Sequence, residues 1–195
     1  MYRIRDIIIA SVGLLLFAPL FLLIILALWF SQGKVFFRQM RPGKDEIPFR
    51  LIKFSTLYDV APGQDEAANQ KDRLTPLGQY LRKASLDEMP QLWNVLKGEM
   101  SLVGPRPLLM EYLPLYGESE RPRHSVLPGI TGWAQINGRN QISFKEKFAL
   151  DLWYVQNQSL WLDWKIMWLT FGKIFRPKDV YVNEQTTAEK YDGTN

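Results

Sequence analysis

An uninterrupted apolar segment lies near the start of the chain: residues 7–30 read IIIASVGLLLFAPLFLLIILALWF, with no charged side chain over 24 positions. As a straight helix it would be about 36 Å long, enough to cross a hydrocarbon core of about 30 Å. Pro19 stands near its middle and removes one backbone donor, so we expect a kink there and two halves too short to span. A cleaved signal peptide is disfavoured, because its apolar region would be about half as long.

Basic residues flank this segment on both sides. Two precede it and three follow it: Arg3, Arg5, Lys34, Arg38 and Arg41. Because basic flanks prefer the cytoplasmic face, we expect residues 1–32 to form a re-entrant membrane helix, with a single crossing as the alternative. Residues 33–195 are expected to form a small, membrane-associated cytoplasmic domain.

The pattern after the apolar segment predicts a mixed α/β fold that is mostly helical. Short apolar runs around a Pro-Gly turn indicate extended segments over residues 34–57, and the polar stretch 59–72 is typical of a surface loop. TPLGQYLRKA at 75–84 has a Thr-Pro helix start. SLDEMPQLWNVLKGEM at 85–100 predicts a second helix. This helix can hold Pro90 only in its first turn.

Two adjacent carboxylates, Asp87 and Glu88, stand at the head of that second helix. One interpretation is structural: Ser85 and Glu88 have the spacing of a capping box, and acids at a helix start suit its dipole. This accounts for Glu88 but only weakly for Asp87. The other interpretation is chemical, because both carboxylates at a helix start are well placed for a metal or a phosphorus centre. The local sequence leaves both open.

Two later stretches indicate anion binding. Arg106 lies between Pro105 and Pro107, which restrict the backbone and suit a guanidinium that binds phosphate with two donors. An ordinary turn arginine is the alternative. LPGITGWAQINGRN at 127–140 is rich in glycines that would let backbone donors approach a ligand closely, and it ends near Arg139.

The last helical pattern, SLWLDWKIMWLTFGKIF at 159–175, places Trp161, Trp164 and Trp168 on one side, with lysines nearby. Tryptophan and lysine together are typical of helices that lie in the lipid headgroup zone, so an interfacial amphipathic helix is expected. A core helix is the alternative. Asp163 interrupts the aromatic residues, and a carboxylate there needs a partner or a purpose.

Composition narrows the chemistry. The chain has no cysteine and one histidine, His124, so cysteine catalysis is excluded and a Ser-His-Asp mechanism is disfavoured. His124 is interpreted as a surface or packing residue. Twenty-four Lys and Arg residues against 20 Asp and Glu fit an anionic partner such as lipid headgroups or nucleotide phosphates. Nucleic acid is disfavoured, because no basic stripe is interleaved with aromatic residues.

These pieces, in this order, resemble the monotopic phosphoglycosyl transferases of bacterial glycan assembly, over nearly the whole chain. The motifs that carry the resemblance are the apolar segment with its central proline, RPG at 41–43, KFSTL at 53–57, SLDEMPQLWNVLKGEMSLVGPRPL at 85–108, LPGITGWAQINGRN at 127–140 and LDWKIM at 162–167. The block at 85–108 is the most specific. The ending TTAEKYDGTN is similar to small members that act on UDP-diacetylbacillosamine or a related acetamido sugar.

The resemblance implies a reaction: a sugar-1-phosphate moves from a UDP-sugar donor to a polyprenyl phosphate acceptor, and UMP is released. It puts Asp87 at the position of the nucleophile that forms a covalent phosphosugar intermediate. Glu88 would bind the metal or act as base, and Mg²⁺ would be bound by Asp87 and Glu88. Asp163 matches an acidic position with a catalytic role. The enzyme would act at the cytoplasmic face of the bacterial inner membrane, with membrane lipid and downstream glycosyltransferases as further partners.

Four basic residues match the family's positions for holding phosphate: Lys53, Arg82, Arg106 and Arg139. The chain departs from the family pattern at two points. Ala18 precedes Pro19 where the family usually has serine, and Ser55 stands where it usually has a cation. The alternative from a different class is a non-enzymatic, membrane-anchored module that binds anionic lipid or polymer. That module would explain the apolar segment and the charge but not the acid pair beside Arg106.

Overall fold

The structure is a computed structural model that describes residues 2–59, 73–138, 142–174 and 191–193. The stretch expected to be a surface loop, residues 59–72, lies outside the described residues except for Asp59. In the described part of the chain the fold is mostly helical with two small sheets, as predicted. The helices are α1 (Tyr2–Leu16), α2 (Ala18–Gln32), α3 (Pro76–Lys83), α4 (Gln91–Lys97), α5 (Trp133–Asn137), α6 (Phe144–Asn157) and α7 (Leu160–Ile174). The strands are β1 (Phe36–Pro42), β2 (Pro48–Phe54), β3 (Ser101–Val103) and β4 (Gly129–Thr131).

The apolar segment folds as two helices of 15 residues, α1 and α2, which meet at Phe17 with a bend of 63°. Pro19 lies in the first turn of α2, where its missing N–H costs nothing and its ring forces the preceding helix to end. The predicted break is therefore confirmed. Among the described residues no single helix is long and apolar enough to cross a bilayer, whereas the bent pair together has the necessary length and composition.

Both ends of this helix pair contact the rest of the chain. At the start of α1, Arg3 donates to the carbonyl oxygens of Val95 and Leu96 at the C-terminal end of α4. Near the end of α2, Leu28 is fully buried and packs in a cluster with Phe54 and Leu81. The outward faces of both helices stay exposed through large apolar side chains, among them Ile8, Val12, Leu15, Leu16, Leu23, Trp29 and Phe30.

The extended segments after the apolar pair form an antiparallel hairpin, β1 with β2, in a register that runs from Phe36 opposite Phe54 to Pro42 opposite Pro48. Directly opposed residues of an antiparallel pair share a face of the sheet. Phe49 and Leu51 are buried on one face, which therefore points to the core.

The second sheet is a short parallel ladder between β3 and β4, and it depends on glycine. A Cβ atom on Gly129 would lie 2.1 Å from the backbone nitrogen of Gly104, and one on Gly132 would lie 2.2 Å from the Gly104 carbonyl oxygen. These glycines therefore allow two backbone segments of the chain to touch. The expectation that they serve the approach of a ligand is not supported, because the space beside them is already filled by backbone.

Helix α7 presents two different faces. Leu162, Asp163 and Ile166 are buried against the core, whereas Trp161, Trp164 and Trp168 are 78%, 52% and 78% exposed. The one-sided arrangement of tryptophans predicted from the sequence is confirmed, and the core-helix alternative for these tryptophans is wrong.

A glycine-to-alanine pair tests the packing at the β3–β4 junction. We expect Gly129→Ala to lower the free energy of unfolding by at least about 2 kcal/mol, because the added methyl group overlaps backbone that cannot move aside. Gly172→Ala is the matched control: nothing lies within 4 Å of its Cβ position, and alanine favours the helix by about 0.5–1 kcal/mol. Thermal unfolding of both variants in the same detergent measures the difference, and equal melting temperatures would contradict the packing described here.

Candidate active site

The acid pair lies in a short 3₁₀ turn, Leu86–Glu88, between α3 and α4. Ser85 before it adopts a left-handed backbone conformation with φ of 56°, and its side chain makes no capping hydrogen bond. The capping-box interpretation of Ser85 and Glu88 is therefore wrong. The reason is tertiary: the Glu88 carboxylate is held by cations from distant parts of the chain.

Glu88 is bound by two cations on the same oxygen. Its Oε1 accepts from Lys53 Nζ of β2 at 2.6 Å and from Arg106 Nη2 at 2.7 Å. Burial by itself would raise the pKa of Glu88, but Arg106 and Lys53 outweigh burial and hold that pKa far below its usual range. Glu88 is consequently ionised throughout the physiological range, and its charge is neutralised by its partners.

Asp87 is the contrasting member of the pair. It is buried, and its carboxylate has no hydrogen bond or ion pair with any described residue. Burial raises the pKa of Asp87 and the charge of Glu88 adds to that rise, while Lys53, Arg82 and Arg106 act in the opposite direction. Asp87 is thus a carboxylate in the field of three cations that touches none of them.

Arg82 comes from the last turn of α3 and is fixed through its Nε, which donates to Thr56 Oγ1 at 2.9 Å. Its two terminal guanidinium nitrogens have no partner in the described part of the chain. Burial lowers the pKa of Arg82, and Asp87 partly offsets this effect. Thr56 was not predicted as a site residue. The backbone of Thr56 packs directly against Gly78 of α3: a Cβ on Gly78 would lie 2.2 Å from the Thr56 carbonyl oxygen, so only glycine allows this contact.

Arg106 is positioned through its backbone by a second arginine. Arg123 donates from Nη2 to the Arg106 carbonyl oxygen at 2.8 Å and to Asp151 Oδ2 at 2.6 Å. Arg123 is only 2% exposed, and its guanidinium lies over the rings of Tyr116 and Phe148. The Arg106 side chain itself remains 43% exposed, so its charge faces the open side of the site. Arg123 could not be predicted as a site residue, because it lies in a charged run, RPRH, that is typical of a surface.

The family model described as bacterial sugar transferase matches residues 1–177. The chain belongs to this family. The family expected from the sequence motifs is therefore confirmed, and the site above is the candidate active site of a sugar transferase.

Three relatives illustrate the likeness. The uncharacterized sugar transferase EpsL of Bacillus subtilis strain 168 is 53% identical over 160 residues, which cover 82% of this chain and 79% of EpsL. The exopolysaccharide production protein ExoY of Rhizobium meliloti is 40% identical over 197 residues, covering 92% and 87%. A UDP-glucose:undecaprenyl-phosphate glucose-1-phosphate transferase of Klebsiella pneumoniae is 42% identical over 191 residues, which cover 92% of this chain but 41% of that protein.

The structure brings together four of the expected site residues around Asp87: Lys53, Arg82, Glu88 and Arg106. Arg139 lies outside the described residues. Asp163 belongs to a different cluster, where it is fully buried, accepts from Arg5 Nη1 at 2.6 Å and from the Tyr154 hydroxyl at 2.7 Å. These partners satisfy the buried carboxylate of Asp163, and its expected catalytic role stays a prediction.

Two further points concern ligands and protons. The described residues contain no group of three His, Cys, Asp or Glu side chains that could hold a metal, so Asp87 and Glu88 are a pair of carboxylates without a third acid or histidine beside them.

His124 is buried, and burial together with Arg123 and Arg121 lowers its pKa to about 4. It is a neutral packing histidine, in agreement with the interpretation from the sequence.

The role of Arg123 can be tested by stability. We expect Arg123→Met to cost about 3–5 kcal/mol of unfolding free energy, because Asp151 is left as a buried charge without a partner. The double variant Arg123→Met/Asp151→Leu should recover most of this loss, since no buried charge then remains. Denaturant unfolding of both variants and of the wild type makes the comparison. A double variant no more stable than Arg123→Met would show that the ion pair is not the source of the loss.

Proposed function

We propose that this chain transfers a sugar-1-phosphate from a UDP-sugar to polyprenyl phosphate and releases UMP, through a covalent intermediate on Asp87. The observation that carries the proposal is the contrast within the acid pair. Glu88 is neutralised by Lys53 and Arg106, whereas Asp87 is buried among cations and has no hydrogen bond or ion pair with any described residue. A carboxylate in a cationic pocket suits attack on an anionic electrophile, because the cations draw the substrate in while the nucleophile keeps a lone pair free.

In the first half-reaction an Asp87 oxygen attacks the sugar-bearing phosphorus of the donor. A phosphorus–oxygen bond forms to Asp87, and the bond to the bridging oxygen breaks with its electron pair leaving on UMP. Arg82 and Arg106 offer guanidinium donors to the phosphate oxygens in this step, since neither side chain is saturated by protein partners. An ionised aspartate needs no general base, so the lack of a catalytic histidine is no obstacle.

In the second half-reaction a phosphate oxygen of the polyprenyl phosphate attacks the same phosphorus. The bond to Asp87 breaks, the carboxylate is regenerated, and the product is a polyprenyl diphosphate sugar. Glu88 has a depressed pKa and is therefore a poor base as it stands. Its position favours holding Lys53 and Arg106 in place and contributing to metal binding.

Mg²⁺ fits this donor set. Magnesium in phosphoryl-transfer sites is commonly held by one or two carboxylates together with substrate phosphates, and Asp87 and Glu88 supply such a pair. The ion would neutralise phosphate charge during the transfer. Without substrate phosphates the two carboxylates alone are an incomplete ligand set, so binding of metal and donor is expected to be coupled.

The apolar surfaces support the proposed location at a membrane. Exposed apolar side chains cover both α1 and α2, and the exposed tryptophans of α7 add an aromatic patch typical of a headgroup zone. Both ends of the bent helix pair contact the same folded part of the chain. These contacts support a re-entrant, monotopic element with residues 1–32 in the membrane and the site on the cytoplasmic face of the inner membrane.

The sugar stays a prediction. The ending of the sequence favoured an acetamido sugar such as diacetylbacillosamine, whereas the relative from Klebsiella pneumoniae carries UDP-glucose in its name. A panel of UDP-sugars that includes both classes separates these expectations. The alternative function, a membrane-anchored module that binds anionic lipid, gains support from the apolar faces but gives no reason for an unpartnered carboxylate among cations.

The covalent step is testable without acceptor. Purified protein with Mg²⁺ and the UDP-sugar should release UMP in a burst stoichiometric with enzyme and should gain the mass of the sugar phosphate on the peptide that contains Asp87. Hydroxylamine should remove this adduct, and removal of metal by EDTA should abolish the burst until Mg²⁺ is restored. Mass spectrometry and a UMP assay measure both quantities.

Two variants assign the adduct to one carboxylate. Asp87→Asn keeps the shape of the side chain and should give neither burst nor adduct while retaining the wild-type melting temperature. Glu88→Gln should slow the burst because it releases Lys53 and Arg106, yet any adduct must still map to Asp87. Normal turnover by Asp87→Asn contradicts the proposal, and UMP release only in the presence of acceptor indicates direct transfer instead.

Membrane topology has its own test, because the chain contains no cysteine. Single variants Tyr2→Cys and Lys34→Cys should both resist an impermeant thiol reagent in intact cells and both react after permeabilisation. Labelling of only one in intact cells would mean that the apolar pair crosses the membrane. Pro19→Ala should shift the result toward crossing, since a continuous helix of this length matches a bilayer.

A further inference from the structure

Arg41, near the end of β1, has no assigned role in the site and points toward it. In the hairpin register Arg41 lies opposite Phe49 and Lys53 lies opposite Phe37, so Arg41 and Lys53 share the face that also carries the buried Leu51. Lys53 reaches Glu88 from one end of this face. Arg41 stands at the other end, four strand positions away.

The hydrogen bonds of Arg41 are incomplete. One terminal nitrogen donates to Gln39 Oε1 at 2.6 Å, but its Nε is buried and has no partner in the described part of the chain. No described carboxylate lies within ion-pair distance of it, and the Glu111 charge that acts on it belongs to an exposed side chain. A buried guanidinium donor without an acceptor is costly, so it calls for an acceptor that comes from elsewhere.

A second cation lies beside it. The Pro42-Gly43 turn that follows Arg41 and the Pro105-Arg106-Pro107 segment line the same narrow crevice. Burial, and next to it the charge of Arg106, lower the pKa of Arg41 to about 10, so it remains protonated at neutral pH. Glu88 is already bound to Arg106 and Lys53, which leaves Arg41 as a cation whose charge no described acid neutralises.

Glu88 binds Arg106, and Arg41 lies near enough to Arg106 for the two charges to act on each other. Displacement at phosphorus is in line, so the leaving oxygen departs on the side opposite the nucleophile. With Asp87 as nucleophile and Arg106 on the sugar-bearing phosphate, the second phosphate of the donor needs a cation on the far side from Asp87, and Arg41 is a cation next to Arg106.

We propose that Arg41 binds the nucleotide-side phosphate of the UDP-sugar and holds it as the phosphate of the departing UMP. This assignment rests on the proposed function for the direction of the reaction. When the bridging phosphorus–oxygen bond breaks, the electron pair and the new negative charge go to UMP, and the free Arg41 donors meet that charge.

Binding of UMP tests the assignment without turnover. The full chain in detergent is titrated with UMP and, separately, with uridine, which lacks the phosphate. We expect Arg41→Gln to weaken UMP binding about tenfold or more and to leave any uridine binding unchanged. Arg38→Gln is the matched control, since Arg38 lies on the same strand, is exposed and points to the opposite face; it should bind UMP like the wild type.

Arg41→Lys keeps the charge but loses the planar fork, and it should also weaken UMP binding. If thermal unfolding shows that Arg41→Gln does not fold, UMP binding by Arg41→Lys is compared with that of the wild type instead. Wild-type UMP affinity in the folded Arg41 variants overturns the assignment, as does a wild-type protein that does not bind UMP.

Kinetics with the acceptor test whether Arg41 binds the phosphate of polyprenyl phosphate instead of the phosphate of UMP. A raised KM for polyprenyl phosphate with unchanged UMP affinity in Arg41→Gln would place Arg41 at the acceptor and make the assignment wrong. If the Arg41 variants lose UMP binding as expected while no UDP-sugar yields UMP with wild-type protein, the phosphate site stands and the proposed reaction fails.

Discussion

The two ion pairs that end on one oxygen of Glu88 are the interaction on which the candidate site depends. Lys53 comes from the hairpin, Glu88 from the 3₁₀ turn and Arg106 from the segment between two prolines, so this single carboxylate joins three otherwise separate pieces of backbone. Removing one partner of such a half-buried cluster leaves the other charges uncompensated. Because Glu88 satisfies Lys53 and Arg106, these cations lie near Asp87 without binding it, as the nucleophile role proposed for Asp87 requires.

A second charged network fixes the first apolar helix, α1, to the same unit. Arg5 binds both Asp6 and Asp163, and Asp6 accepts from the Ser101 hydroxyl at 2.6 Å. Arg3 adds contacts to the last carbonyl groups of α4, the helix that begins just after the acid pair. Unpaired charges at the head of an apolar helix are costly in lipid, but here each charge is paired with a protein group. The position of the apolar pair is therefore tied to the position of the acid pair.

Local features of the fold could be predicted, whereas the pairings that make the site could not. Pro19 fixed the helix break and Pro90 fixed the start of α4, since proline acts on its own backbone. Glu88 meets partners 35 and 18 residues away, and Arg5 meets Asp163 across 158 residues. The capping-box interpretation failed because these tertiary ion pairs outcompete a local motif. The partners of Asp163 could not be predicted for the same reason, because Arg5 is distant from it in sequence.

The groups left unsatisfied are as informative as those that are paired. The fold finds partners for the buried acids Asp6, Asp151 and Asp163, so it is able to neutralise buried charge. Among the described residues it provides no hydrogen bond to Asp87 and no acceptor for the buried Nε of Arg41. A diphosphate with an electrophilic phosphorus at one end and a leaving phosphate at the other would meet both needs at once. The incomplete pairing is thus what a site would show if its substrate, rather than the protein, supplies the missing groups.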